Sequence, residues 1–406
     1  MSHIPAQTLS IDAFLRQRTS EPETLFDSKF TLDSQPLLWD DSEISGGSTT
    51  STRTSATSSM VIAVAATTAG KRVRQTKRRF NYQPGKSQLV FMTGTLAEDG
   101  GGTDIKRAVG LFDDNNGIFF IDDESIVKAV VRSKTTGSVV DNAIAQTAWN
   151  TDVMDGSGST SNPSGLTLDA SKSQIIVIDF EWLGVGTVRM GFVINGEIHI
   201  VHKFHHANIL AGVFMTTPCL PLRYEIENVG TGAASSLEQI CGTVISEGGH
   251  NPNGLPQSHG TNGTHIECNT IDTLYMVCGI RLSATAIAAG IDMELNGISL
   301  LNETKGDFEW QLIHNPTMSN ETWSAKTNSA METTVGEASN PSTSTITGGH
   351  VIAGGFKTDG EAVKIALKST LSLGSLIDGT PDELVLAYKG LSANGNIQGS
   401  IMWKEF

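Results

Sequence analysis

This sequence has few charges, few cysteines, few aromatics and no long apolar run. Charged residues make up 17% of its 406 positions and aromatics 6%. A surface with so little charge must be covered largely by uncharged polar groups. That composition is common among extracellular and particle-forming β proteins and less so among cytosolic enzymes, which carry more charge. The four cysteines (Cys219, Cys241, Cys268, Cys278) contain no CxxC pair, and their spacings match no common zinc module. Four in a chain this long do not form a disulfide framework, so they read as reduced thiols packed as small hydrophobes. No stretch approaches the roughly 18 apolar residues of a membrane span. Residues 1–15 lack a basic segment followed by an apolar one, so no signal peptide is expected. Synthesis in a cytoplasm without export follows, and the sequons at Asn262, Asn302 and Asn320 read as chance matches. Helical periodicity is equally scarce: no long segment repeats at i, i+3, i+4, i+7.

What is present is a series of short apolar runs separated by Gly, Ser, Thr, Asn and Asp. Strands are predicted at 60–66, 87–96, 109–112, 117–121, 126–131, 174–180, 187–194 and 197–200. Later ones are predicted at 222–227, 239–245, 273–281, 292–300, 308–313, 384–388 and 397–403. Asn195-Gly196 between apolar runs is a hairpin signal, because both central residues of a type I′ turn need positive φ. The DDNNG stretch at 113–117 joins two strands in the same way. One or two helical turns are expected at 11–18 and one at 284–289; 367–376 is a further candidate, against which its Ser, Thr and Gly content argues. Many short strands with turn signals and few helices give an all-β fold of sandwich or jelly-roll domains.

Residues 1–55 differ in composition and read as an extended N-terminal arm, which either docks onto another surface or folds back on its own domain: apolar residues are sparse, and 46–59 is almost wholly Gly, Ser and Thr. Residues 56–250 form the main β-sandwich. Residues 251–270 read as an exposed loop within a polar stretch starting at 246. Residues 271–406 are a second β part, completing or following the sandwich. Two more Gly/Asn/Ser-rich loops are expected at 98–104 and 155–165.

The net charge of −15 argues against direct contact with nucleic acid. One basic run stands out: Lys71, Arg72, Arg74, Lys77, Arg78 and Arg79. It reads either as a solvated edge strand whose charges block aggregation or as a patch that mates with an acidic neighbouring subunit. His199, His202, His205 and His206 prompt a metal question. On an alternating strand 199 and 205 would face one side and 202 and 206 the other, which offers no converging ligand set. PGKS at 84–87 lacks the earlier glycine and following helix of a phosphate loop, and Pro84-Gly85 reads as a type II turn. The DDNNG loop departs from a calcium-loop pattern at its glycine. Asp179 and Glu181 share a strand face beside Trp182, the best carboxylate pair for glycoside chemistry in the chain. Such i, i+2 pairs are also common on wet faces. No nucleophile elbow or metalloprotease motif occurs. No catalytic, cofactor-binding or metal residue is assigned, and no cofactor is expected.

Several stretches together carry a resemblance: RQTKRRFNYQPGKSQLVFMTGT (74–95), GLFDDNNGIFF (110–120), WNTDVMDGSG (149–158), the long run from 164 to 208, TTPCLPLRYEIEN (216–228) and CGTVISEGG (241–249). Their co-linear order resembles a large group of poorly characterised virion structural proteins of tailed phages and large DNA viruses. The resemblance covers roughly 60–250 and extends loosely to 377–406. It implies a β-sandwich component of a tail, fibre, baseplate or capsid surface, with Trp182, Arg189 and Gly191 as scaffold positions and no catalytic residues. The expectation is a non-enzymatic, self-assembling virion subunit, made in the host cytoplasm, whose partners are copies of itself and other virion proteins. A homo-oligomer is expected, with a trimer as one candidate. No nucleic acid or membrane partner is expected. The alternative is a host-receptor or glycan-binding module of a viral fibre, with its site on the 246–270 loop. A virion depolymerase using Asp179 and Glu181 is the third reading.

Overall fold

The computed structural model describes residues 20–97, 102–250, 253–337, 344–358, 363–366 and 372–406. The expected helical turn at 11–18, half of the one at 367–376 and most of the 98–104 loop lie outside these residues. The fold is all-β. The first body contains β1 (Glu23–Lys29), β2 (Trp39–Gly46), β3 (Thr50–Thr54), β4 (Ser59–Val64), β5 (Gly70–Thr76), β6 (Gln88–Thr95), β7 (Ile105–Phe112), β8 (Gly117–Asp123), β9 (Ile126–Ser133), β10 (Val140–Ala145), β11 (Ser173–Phe180), β12 (Val188–Ile194), β13 (Glu197–Phe204), β14 (Leu222–Asn228) and β15 (Ser235–Ser246). These make two antiparallel sheets. The first runs β13-β12-β11-β6-β15-β4-β3, with β1 also on β15; the second runs β10-β9-β8-β7-β14-β5-β2.

Alternation along the strands builds the core between them. Ile176, Ile178 and Phe180 on β11 and Val188, Met190 and Phe192 on β12 meet Ile118 and Phe120 on β8 and Tyr224 and Ile226 on β14. Phe120 stacks on Phe192 with centroids 4.7 Å apart. Each such fully buried side chain contributes about 1.5–3 kcal/mol. The two predicted turns form as the sequence requires. Asn195 and Gly196 both have positive φ, 54° and 83°. The Asp113 carboxylate accepts the Asn115 and Asn116 amides at 2.7 and 2.8 Å, which closes the DDNNG hairpin.

The second body contains β16 (Leu255–Gly260), β17 (Ile266–Cys268), β18 (Tyr275–Leu282), α1 (Ala284–Ala289), β19 (Met293–Asn302), β20 (Phe308–His314), β21 (Thr317–Met318), β22 (Ser324–Ala325), β23 (Met331–Val335), β24 (Ile346–Thr347), β25 (His350–Lys357), β26 (Val363–Ala366), β27 (Glu383–Gly390) and β28 (Gly395–Glu405). A sheet β16-β28-β19-β26, joined by β17, faces a sheet β22-β23-β18-β27-β20-β25 across its own core, which centres on Trp403, Tyr275, Leu386 and Ile401. All four cysteines are free. Burial pushes the Cys268 and Cys278 thiols up to about 12.

Three expectations are corrected. Residues 23–54 are not an arm: β1 and β3 belong to the first sheet and β2 to the second. The buried apolar residues there are aromatic and cluster with one another. Trp39 packs against Phe26 and Phe30 at 6.1 and 6.0 Å, and all three are buried. The described part of 251–270 is not an open loop, since β16 and β17 zip onto β28. The basic run is not an edge strand. Most of its charges are matched within the chain: Lys71 with Glu225 (2.5 Å), Arg72 and Arg74 with Asp41 (2.7 Å each), Arg78 with Asp292 (2.9 Å) and Arg79 with Asp113 (2.5 Å). Arg74 is buried under Phe30 and Trp39, and β5 lies between β14 and β2.

Some of these contacts fasten the sandwiches together. Besides Arg78–Asp292, the Ser375 amide donates to the Lys77 carbonyl (3.0 Å) and the Ile377 amide to Asp40 (2.7 Å). The Thr217 hydroxyl donates to the Ala289 carbonyl at the end of α1 (3.0 Å).

Candidate functional site

A polar cleft of about 540 Å3 opens on the outer face of the first sheet, lined by Lys86, Ser87, Asp179, Glu181, Thr187, Arg189, Lys203 and His205 among others. Strand register builds it. Asp179 of β11 lies opposite Arg189 of β12, and Arg189 lies opposite Lys203 of β13. Because opposed residues in an antiparallel pair share a face, these three side chains form one outward row. Arg189 is ion-paired with Asp179. Burial raises the Asp179 carboxyl above its ordinary value; Arg189 opposes this, while Glu247 and Glu181 add to it.

The PGKS turn borders the row. The Lys86 amide donates to the Gln83 carbonyl at 3.2 Å and Gly85 has φ of 87°, the geometry that allows Gly at the third position of a type II turn. The turn then enters a strand, where a phosphate loop would enter a helix. Lys86 Nζ is held by Gln83 Oε1 (2.6 Å) and the Gly249 carbonyl (2.8 Å), and Ser87 donates to Glu247 (2.9 Å). On the far side, the Thr187 amide donates to Glu181 at 3.4 Å and the Thr187 hydroxyl lies 3.4 Å from His205 Nδ1. Asn150 grips the Lys203 backbone twice, accepting from its amide at 2.9 Å and donating to its carbonyl at 2.8 Å.

The structure therefore brings together residues from three separate sequence signals: the PGKS turn, the Asp179/Glu181 pair and one member of the histidine group. It disperses the other histidines. A bulge at Met190/Gly191 shifts the β12–β13 register by one residue, so His199 lies opposite Phe192 and His202 opposite Met190, on one face instead of two. His202 is buried, and its Nδ1 accepts the Asn150 amide at 3.2 Å. His206 stacks on Phe214 at 4.1 Å, with Nδ1 donating to the Gly186 carbonyl at 2.6 Å. Burial lowers the affinity of both rings for a proton. Among the described residues no three His, Cys, Asp or Glu side chains come together as a metal site.

Trp182 lies between the cleft residues Glu181 and Leu183, and Gly191 follows Arg189 by two positions. The Trp182 amide donates to the Tyr82 hydroxyl oxygen (2.9 Å) and its indole donates to the Met215 carbonyl (3.2 Å). A Cβ on Gly191 would come within 2.1 Å of the His199 carbonyl, so only glycine allows β13 to lie this close. Sequence reasoning missed Thr187 and Lys203. Counting out from the Asn195-Gly196 turn pairs Arg189 with His202, and only the bulge moves Lys203 into that place.

No family model and no curated protein matches this chain. Several solved structures are similar to parts of it. The endo-1,3-beta-glucanase from Streptomyces sioyaensis is 10% identical, with a TM-score of 0.38, over 58% of this chain and 99% of its own. The CBM2 module of Lactobacillus casei BL23 phage J-1 evolved Dit is 8% identical, with a TM-score of 0.36, over 58% of this chain and 100% of its own. The legume lectin-like domain from Entamoeba histolytica is 9% identical, with a TM-score of 0.31, over 54% of this chain and 96% of its own.

Proposed function

We propose that this chain is a non-enzymatic structural subunit of a virus particle. The observation that carries the non-enzymatic part is the Asp179–Arg189 pair. A glycosidase needs one carboxyl free to give a proton and another free to attack or activate water. Here the better buried carboxylate of the best candidate pair is held by a guanidinium on the next strand. The motifs behind the virion resemblance support the structural part. The basic run is spent on internal ion pairs, the DDNNG hairpin closes on itself, and the PGKS turn starts a core strand. The test is turnover. Purified protein incubated with bacterial and algal polysaccharides is expected to release no reducing ends. Hydrolysis abolished by Asp179→Asn or Glu181→Gln would overturn the reading.

A second reading, a glycan-binding module, is favoured by the cleft itself. Three motif segments converge on it, and it offers charged and hydroxyl groups at a scale suited to one or two sugar rings. Its place is the outer face of the first sheet, not the 246–270 stretch. On this reading, a glycan array yields hits that Arg189→Ala and Lys203→Ala both remove. An array with no hits eliminates it.

A further inference from the structure

Sheet edges that stay in water are usually guarded by charge, proline, a bulge or a covering segment. The first body guards most of its edges. Strand β13 carries Glu197 and Lys203 and sits beside the Met190/Gly191 bulge; β2 carries Asp40, Asp41 and Glu43 and a bulge of its own. The remaining edge of the second sheet is β10, with the sequence VDNAIA. It has no proline and no bulge. Its only charge, Asp141, is already held by both arms of Arg132 at 2.8 and 2.9 Å. Residues 140–143 are exposed on both faces, so this sheet overhangs its partner sheet here. Apart from the Trp149 indole on the Ile144 carbonyl (3.1 Å) and the 3-10 turn that begins at Ala145, no described residue outside β9 bonds to the β10 main chain.

Beside this edge lies a hollow of about 580 Å3, where the sandwich interior opens sideways. Val131, Val140 and Asn142 form one wall, and Leu210, Val213 and Phe214 another. Val140, Leu210 and Val213 are each more than two-fifths exposed. This is core-like surface left without a cover.

We propose that β10 pairs antiparallel with β10 of a second copy about a two-fold axis centred on Asn142. The inference rests on the reading of this chain as a self-associating subunit and names the surface that does it. The strand is complementary to its own reverse in that register. Asn142 faces Asn142, whose amides can donate and accept reciprocally. Val140 faces Ile144, apolar on apolar, and Asp141 faces Ala143, so no like charges are opposed. The pairing is isologous, which closes at two copies and leaves the rest of the surface free. It joins the two second sheets edge to edge and brings the two hollows side by side, where each copy shields the other.

The test uses the full chain and sedimentation mass. The wild type is expected to sediment as two copies or a multiple of two. Asn142→Asp and Asn142→Lys change an exposed side chain, yet each sets like charges face to face at the axis, so each alone is expected at half the wild-type mass. Mixed one to one, the two variants are expected to recover it, because the charges are then opposite. Circular dichroism melts of each variant confirm that the fold is intact. A wild type that sediments as one copy, variants that keep the wild-type mass, or a mixture that stays dissociated would each overturn the proposal. The particle reading is independent of these outcomes: a chain found in particles but indifferent to Asn142 rejects only this interface.

Discussion

His202 and His206 show how single side chains set the conditions under which this fold survives. Both rings are buried and both use Nδ1 in a neutral tautomer, His202 as acceptor and His206 as donor. Burial depresses their folded proton affinity, with nearby His205 adding to the effect. The sign follows from linkage. A histidine with a depressed folded value contributes stability above its ordinary value of about 6.5, and that stability is lost as pH falls through the folded value. The melting temperature is therefore expected to fall as pH drops from about 7 to about 5, and His206→Phe, which keeps the stack on Phe214, is expected to flatten the fall. An identical pH profile for the variant would contradict this assignment. A histidine-rich stretch announces titratable groups, but burial is decided by which strand face each one meets, and that depended on one bulge.

At the scale of the element, Gly191 sets the spacing of the β12–β13 edge pair. Gly191→Val drives a side chain against the His199 carbonyl, and β13, paired on one side only, is the strand free to move. The expected cost is about 1–3 kcal/mol, with faster amide exchange confined to β13 and the Arg189–Lys203 row displaced. Exchange unchanged in β13 would contradict it. This pair also shows what the sequence made legible. Strands such as β6, β11 and β12 are apolar runs bounded by turns, and they appear within a residue or two of their expected limits. So does α1. β5 was legible as a strand, but it read as an exposed edge because its arginines are neutralised by residues distant in sequence. β2 and β3 escaped notice because they are edge strands whose Thr, Asp and Ser content mimics a linker. The cleft was half legible. Its carboxylates and its turn were visible as motifs, whereas Thr187 and Lys203 enter only through register.

For the whole molecule, the Arg78–Asp292 pair joins the two sandwiches, with Asp292 buried and Arg78 also donating to the Leu25 carbonyl (3.2 Å). Arg78→Ala leaves that carboxylate without its cation, at an expected cost of about 2–5 kcal/mol. Calorimetry of the variant is expected to resolve two transitions, one per sandwich, where coupling in the wild type holds them closer together. A single unshifted transition would show that the pair does not couple them. The measurement that bears most directly on this account is gold-labelled antibody against the chain, imaged on purified, intact virus particles by electron microscopy. The account predicts label at regularly repeated positions on one particle structure. Particles that carry no label, from a preparation in which infected cells contain the protein, would contradict it.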